Sequence, residues 1–114
     1  MGCEQTQRVK IYLGEDKTLN FQLKDDKGNF FDLTPASEIK VSFPSSLDAP
    51  IVKLLSTSGV IMVNALEGKF NVPMLKADSI NLLVGAVIAV TITVTIAGLD
   101  TIIKIDEALD VEAP

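Results

Sequence analysis

Residues 81–99 read NLLVGAVIAVTITVTIAGL and carry no charged side chain. By length alone the run could be a membrane helix, since roughly 18 apolar residues can cross a bilayer. Its second half, however, alternates branched aliphatic residues with Thr91, Thr93 and Thr95. Such alternation places the two kinds of side chain on opposite faces of a β-strand. We therefore interpret the run as a strand with one buried face.

The flanks of this run also oppose a membrane helix. Asp78 and Asp100 border it, Lys76 and Lys104 lie one on each side, and no Trp or Tyr stands at either end. Membrane helices are typically marked by aromatic residues at both interfaces and by positive charge on one side. Because both signals are missing, the sequence favours a soluble β-protein without membrane insertion.

Length, charge and cysteine content narrow the class of protein. A chain of 114 residues is the size of one domain. The formal net charge is −5 and no stretch concentrates Lys or Arg, so nucleic acid is not an expected partner. Cys3 is the single cysteine and cannot form a disulfide within the chain, so nothing indicates a disulfide-stapled secreted domain.

The N-terminal residues form a separate segment in this interpretation. Residues 1–6, MGCEQT, fit the M-G-x-x-x-[ST] pattern of N-myristoylation, and Cys3 stands where a second acyl chain could be added. The pattern is short, and whether it is ever lipidated is left open. We interpret residues 1–8 as a flexible tail and residues 9–114 as one β-sandwich domain.

Alternating apolar positions and turn residues divide the domain into short strands. The predicted strands cover residues 9–13, 19–24, 30–33, 39–43, 51–55, 60–63, 69–74 and 84–96, with a last strand after the turn at residues 97–100. Residues 75–83 hold the one plausible helical segment. About seven to eight strands with turns every 8–12 residues predict an all-β, immunoglobulin-like antiparallel β-sandwich with one short helical connection. A small barrel is the alternative.

Two strands carry unusual patterns. Residues 60–63 are apolar at every position, which is typical of a strand covered on both faces. In the last strand, Glu107 falls in the same row as Ile103, Ile105 and Leu109. An acid in a buried row predicts a bulge or bend at residues 106–108 that turns Glu107 to water.

The side chains available for chemistry are few. The chain has no histidine, which removes the commonest general acid or base and the commonest metal ligand. One cysteine cannot build a zinc site. The adjacent acids at residues 15–16, 25–26 and 106–107 lie in turn-like stretches, where acids normally fix turn geometry, and residues 25–29 lack the spacing of a calcium loop. We expect no enzyme activity, no catalytic residue, no cofactor and no metal.

The chain has more apolar residues in its predicted strands than two packed sheets can cover. An exposed apolar surface on a small domain commonly marks an assembly interface. The candidate interface residues are Ile61, Val63, Leu83, Val87, Ala89 and Ile102. The alternative is that a connecting loop, or the segment at residues 75–83, covers these positions within one molecule.

Four short motifs occur in a fixed order along the chain. They are the turn at residues 26–29, then Asp32-Leu33-Thr34, then Gly68-Lys69, and then Leu75 with Ala77-Asp78. With the strands between them, these motifs resemble the N-terminal domain of phage baseplate upper proteins and related tail modules. The resemblance spans residues 19–112.

The resemblance implies a non-enzymatic structural component of a phage or prophage virion. Such a protein would be made in the host cytoplasm, lie in the tail or baseplate, and assemble with other tail or baseplate proteins or with copies of itself. The alternative is a carbohydrate- or cell-surface-binding immunoglobulin-like module. Sugar sites usually expose aromatic platforms, whereas this chain has one Tyr, five Phe and no Trp.

Two adjacent substitutions test the strand at residues 84–96. Val94→Asp should lower the free energy of unfolding by several kcal/mol because it buries an unpaired carboxylate, whereas Thr93→Asp on the opposite face should lower it much less. Urea unfolding of both variants measures the difference. Equal losses in the two variants would contradict the strand interpretation.

Overall fold

The computed structural model describes residues 9–25 and 27–114, and for Glu107 the backbone alone. Within them lie eight strands: β1 (Val9–Tyr12), β2 (Lys17–Gln22), β3 (Ala36–Phe43), β4 (Ile51–Leu54), β5 (Ile61–Asn64), β6 (Lys69–Met74), β7 (Gly85–Ile96) and β8 (Leu99–Glu112). The helical elements are α1 (Lys76–Ser79) and two 3-10 helices at Leu55–Thr57 and Ala65–Glu67. The predicted tail at residues 1–8 and its acylation pattern lie outside the described residues.

The strands form two sheets whose order identifies the fold. One sheet has the order β1-β8-β7-β3-β4 and the other β2-β6-β5. Counted along the chain, this is the G-F-C and B-E-D arrangement of immunoglobulin-like sandwiches, with β4 as an added C′ strand. Strand β1 pairs with β8 in parallel, and the other described pairs of strands are antiparallel. The predicted all-β, immunoglobulin-like sandwich is confirmed.

Strand β7 occupies the centre of the larger sheet, between β3 and β8. Its inward row is buried, and the alternating threonines on the outer face are half-buried. The strand predicted from the alternation is therefore present, beginning at Gly85. No helix among residues 9–25 and 27–114 is long and apolar enough to span a membrane.

The core lies between the two sheets and consists of branched aliphatic residues with a few phenylalanines. Phe21 of β2 and Phe70 of β6 stack with ring centroids 5.4 Å apart and an interplanar angle of 19°, an arrangement that adds to the burial of both rings. The fully buried large side chains include Ile11, Leu19, Leu23, Leu33, Ile39, Phe43, Met74, Leu82, Ile92 and Leu109.

The prediction of a strand at residues 30–33 is wrong. Only a single bridge, between Lys24 and Phe30, forms there. The next backbone groups have other partners, since Phe31 N–H donates to the carbonyl of Leu23 at 3.0 Å and Leu33 N–H to that of Ala65 at 2.8 Å. Residues 30–33 therefore cross the end of the sandwich and do not form a continuous ladder of hydrogen bonds with a neighbouring strand.

The two unusual strand patterns have different outcomes. In β5 the residues after the buried Val60 are exposed or half-buried, so the expectation of two covered faces is wrong within one molecule. In the pairing of β7 with β8, Ile88 faces Leu109 and Val90 faces Ile105. Two residues of β7 thus span four residues of β8, so the register shifts there. The predicted irregularity at residues 106–108 is confirmed, while the side chain of Glu107 lies outside the described residues.

Gly68 lets two connections, β2–β3 and β5–β6, approach closely at one end of the sandwich. Its φ is +68°, and a Cβ there would lie 2.6 Å from the carbonyl oxygen of Leu23 and 2.8 Å from that of Phe31. Its own carbonyl accepts the N–H of Leu23 at 3.0 Å. A side chain at this position is therefore excluded both by backbone conformation and by space.

Gly28 provides a matched control for Gly68. Gly28 also has a positive φ, +82°, but a Cβ there would meet nothing within 4 Å. Gly28→Ala should therefore lose only about 1–2 kcal/mol for the left-handed conformation, whereas Gly68→Ala should lose several kcal/mol because backbone must also move. Thermal unfolding of both variants measures the gap. Similar melting temperatures would show that the close approach at Gly68 is unimportant.

Candidate interaction surfaces

The six residues predicted as an interface occupy separate parts of the surface. Ile61 and Val63 are exposed on β5, the edge strand of the three-stranded sheet. Ile102 is exposed on the outer face of the five-stranded sheet, opposite Thr93. These positions lie on different sheets, and no loop among residues 9–25 and 27–114 covers them.

The other three predicted residues lie at or near the start of β7. Leu83 and Val87 are exposed, and Ala89 is half-buried on the outer face of the strand. Leu83 and Val87 therefore lie at the same end of the sandwich as other exposed apolar residues that the sequence interpretation did not include.

We name this group the apolar end of the sandwich. It comprises exposed apolar side chains in the segment that links β6 to β7, one near the start of β7 and one on the adjacent loop between β3 and β4. Its members are Leu47, Leu75, Ile80, Leu83, Val84 and Val87.

Polar backbone contacts hold the segment that carries the apolar end. The buried hydroxyl of Ser79 donates to the carbonyl of Glu15 at 2.7 Å, and Lys76 N–H donates to the Asp16 carboxylate. Leu83 N–H donates to the carbonyl of Pro44 at 3.2 Å. These contacts fix the segment to the turn before β2 and to the end of β3, and the neighbouring apolar side chains face water.

The helix prediction at residues 75–83 explains why Leu75 and Ile80 were not predicted as exposed. A helix through residues 75–83 would place Leu75, Leu82 and Leu83 on one face, against the core. In the structure α1 is a single turn, so Leu82 alone of these three is buried. The relevant signal is the density of apolar residues at 80, 82, 83 and 84, which exceeds what one short connection can bury.

A half-buried ion pair lies beside this segment. Lys53 Nζ contacts the Asp78 carboxylate, which joins edge strand β4 to α1, and the Lys53 side chain is only 16% exposed. Lys53 stands opposite the buried Val41, so it points toward the interior from the sheet edge. An inward-pointing charge is one way in which edge strands avoid pairing with other chains.

The described carboxylates serve mainly as acceptors for nearby backbone groups. Asp25 accepts the N–H groups of Lys27 and Asn29, both at 2.9 Å, and Glu15 accepts that of Tyr12 at 3.0 Å. Within residues 9–25 and 27–114 no group of three or more Cys, Asp or Glu is placed to hold a metal ion. Asp26 and the side chain of Glu107, parts of two predicted acid pairs, lie outside the described residues.

Hydrogen bonds shift the pKa of three exposed or half-buried groups. The Ser56 hydroxyl, with backbone N–H groups, lowers the pKa of Glu38, and Thr34 lowers the pKa of Asp32 through its side chain and its N–H. The pKa of Lys10 is raised by its contact with Glu112, whose carboxylate lies 3.2 Å away. Each contact joins a turn or a neighbouring strand.

Each of two exposed aromatic rings has a lysine ammonium group over one face. Phe30 and Tyr12 are partly exposed, but each has an ammonium group over its face. Lys24 Nζ lies 5.9 Å from the Phe30 centroid, and Lys10 Nζ lies 5.5 Å from that of Tyr12. A sugar that stacked on that face of either ring would have to displace the lysine.

Comparisons with known proteins do not assign this chain to a family. No family model matches the sequence, and no curated protein matches it. A chimeric titin Z1Z2 functionalised with a KLER exogenous peptide from decorin is structurally similar, with a TM-score of 0.37 and 14% identity over 99% of this chain and 90% of that chain. The strand order described above, rather than this distant similarity, identifies the fold.

The Glu38–Ser56 contact predicts a defined pH dependence. Because the pKa of Glu38 is below its ordinary 4.5 in the folded chain, its stabilisation is complete above pH 4.5 and is lost as the pH falls through the folded-state pKa. Glu38→Gln should lower the free energy of unfolding at pH 7 by less than about 1 kcal/mol. This deficit should shrink at pH 3.

Urea unfolding at pH 7 and pH 3 measures the deficit. Ser56→Ala, which removes the donor hydroxyl, should behave in the same direction. A deficit that is constant between the two pH values would contradict a role for the ionised form of Glu38.

Proposed function

We propose that this protein is a non-enzymatic structural module of a phage or prophage virion, located in the tail or baseplate. Its role is to hold neighbouring subunits together. The sequence resemblance supports this proposal, because the residues that carry it also make the connections of the sandwich. Asp32 accepts the N–H of Thr34 at 2.9 Å, Leu33 is buried, and Gly68 permits a close backbone approach.

The observation that carries the proposal is the apolar end. Small monomers rarely expose contiguous large apolar patches without a partner. Here the apolar side chains are held outward by a segment whose polar groups are used internally. A surface of this kind is suited to contact with another protein, and repeated contacts between modules build a phage tail.

The carbohydrate- or cell-surface-binding alternative receives less support. The two partly exposed aromatic rings already carry lysines over their faces. The apolar end consists of aliphatic residues, which do not stack on sugar rings. Protein surfaces are therefore the preferred partners.

Particles produced by the host provide the test. We expect the protein in purified particles at a fixed copy number, detected by mass spectrometry and by immunogold labelling of the tail. Leu83→Glu places a charge in the apolar end and should reduce incorporation at least tenfold. Its stability should change by no more than about 0.5–1 kcal/mol, because Leu83 is exposed.

Leu66→Glu is the matched control. Leu66 is an exposed leucine in the connection between β5 and β6, at the opposite end of the sandwich. This variant should be incorporated like the unmodified chain. Absence of the unmodified protein from particles would refute the virion role, and normal incorporation of Leu83→Glu would refute the apolar end as its interface.

A further inference from the structure

Strand β8 has an open side over much of its length. One side pairs with β7 from Leu99 to Val111. On the other side, β1 pairs only from Leu109 to Glu112. Among the described residues, the part of β8 at residues 99–106 therefore has hydrogen-bonding groups at a free sheet edge.

The hairpin register shows which backbone groups point outward. Ile96 and Leu99 pair directly across the two-residue turn, so they exchange hydrogen bonds, as does every second pair after them. The N–H and C=O groups of Asp100, Ile102 and Lys104 consequently point away from β7, toward the open side. Their side chains lie on the outer face of the sheet, as their exposure shows.

This edge lacks the protection found on two other edge strands, β4 and β5. Strand β4 is four residues long and carries the inward-pointing Lys53, while β5 is four residues long with a shifted register. Residues 99–105, LDTIIKI, contain no proline, and the register with β7 is regular until Ile105. Short length, inward charge and bulges are the usual means of blocking edge pairing.

The same stretch holds the most exposed large apolar side chains among residues 9–25 and 27–114. Leu99 is 75% exposed and Ile102 is 70% exposed. Ile102 is flanked on the outer face by charged residues, Asp100 and Lys104. An apolar residue between opposite charges, on an open edge, is a pattern that can pair with itself.

We propose that two copies of this chain pair antiparallel through residues 99–105 of β8, with Ile102 on the two-fold axis. In this register Ile102 faces Ile102 of the second copy, and Asp100 faces Lys104 of the second copy on both sides of the axis. Cross-strand pairs of opposite charge and of apolar residues stabilise a sheet. The contact is closed, because each copy uses the same edge.

Neighbouring registers are worse. The outward backbone groups require Asp100, Ile102 and Lys104 to face residues of the same parity, so the strands can shift only in steps of two residues. Centring on Thr101 places Asp100 against Ile102, and centring on Ile103 places Asp100 against Asp106. These registers pair a charge with an apolar residue or two like charges, which is unfavourable.

The partner residues are available in one molecule. Lys104 makes only an exposed contact with Asp106 at 3.9 Å, which contributes little. Asp100 accepts the Thr95 hydroxyl at 2.6 Å through Oδ1 and has a second oxygen for Lys104 of the second copy. The β1–β8 pairing starts at Leu109, beyond the proposed contact.

The dimer extends the proposed assembly role by naming one partner, a second copy of this chain. It rests on the proposed function only in this respect. It uses a different surface from the apolar end and can be measured on the purified full-length chain. Because edge pairing alone buries little area, we expect a weak dimer. Sedimentation velocity from ~1 µM to ~1 mM should show the mass rise from 12.2 kDa toward twice this value.

Charge reversal supplies the decisive variants. Asp100→Lys or Lys104→Asp alone should weaken dimerisation at least tenfold, because each puts like charges opposite one another. The double variant D100K/K104D should restore it, since every cross-pair is again of opposite charge. Lys40→Asp, on the outer face of β3 and away from the edge, is the control and should leave the dimer intact. Circular dichroism and melting temperatures verify that each variant is folded.

Amide hydrogen exchange gives a second, residue-level readout. The amides of Asp100, Ile102 and Lys104 should exchange at least tenfold more slowly at high than at low protein concentration. Those of Thr101 and Ile103, which bond to β7, should be protected at both concentrations.

Three results would overturn the dimer. They are a constant mass of 12.2 kDa at all concentrations, a dimer that the single charge reversals leave unchanged, and failure of the double variant to restore it. If the full chain stays monomeric while a chain lacking residues 1–8 dimerises, the chain's own N-terminal segment occupies the edge instead. None of these results bears on whether the protein is found in particles, so the two proposals fail independently.

Discussion

The fold depends on the burial of one face of β7. This strand is central in its sheet, with its edges bonded to β3 and β8, so its side chains can reach the second sheet from one face only. The row formed by Val90, Ile92 and Val94 is fully buried there, and each neighbouring strand has to match its register. A shift of one residue would turn the threonines inward and the aliphatic row to water, which fixes the alignment of the larger sheet.

Much of the fold could be predicted from this alternation and from local turn residues. The period of two identified β7 and most of its neighbours, and Pro44 and Gly98 lie where strands end. Residues 30–33 were mispredicted because a strand needs a partner, and whether a ladder continues depends on contacts with Ala65 and Gly68 that are distant in sequence. The parallel pairing of β1 with β8 is equally non-local.

The candidate surfaces were only partly predictable. An excess of apolar residues can be counted from the sequence, and Leu83, Val87 and Ile102 were found in this way. Whether such residues form one patch depends on which sheet each strand joins, and this separates Ile61 and Val63 from the others. The exposure of the remaining residues depends on the length of α1, which is a single turn. With so short a helix, Leu82 is buried while Leu75 and Ile80 are exposed to water.

The parallel alignment of β1 and β8 also determines how the domain bears force. Their paired residues run from Val9 with Leu109 to Tyr12 with Glu112, so the chain leaves the pair in opposite directions at Val9 and at Glu112. A pull on these two points acts along both strands and loads their hydrogen bonds together as shear. In the β7–β8 hairpin, by contrast, a pull that separates the free strand ends breaks the bonds one after another. The tensile strength of the described domain is therefore concentrated in a pairing that is only four residues long.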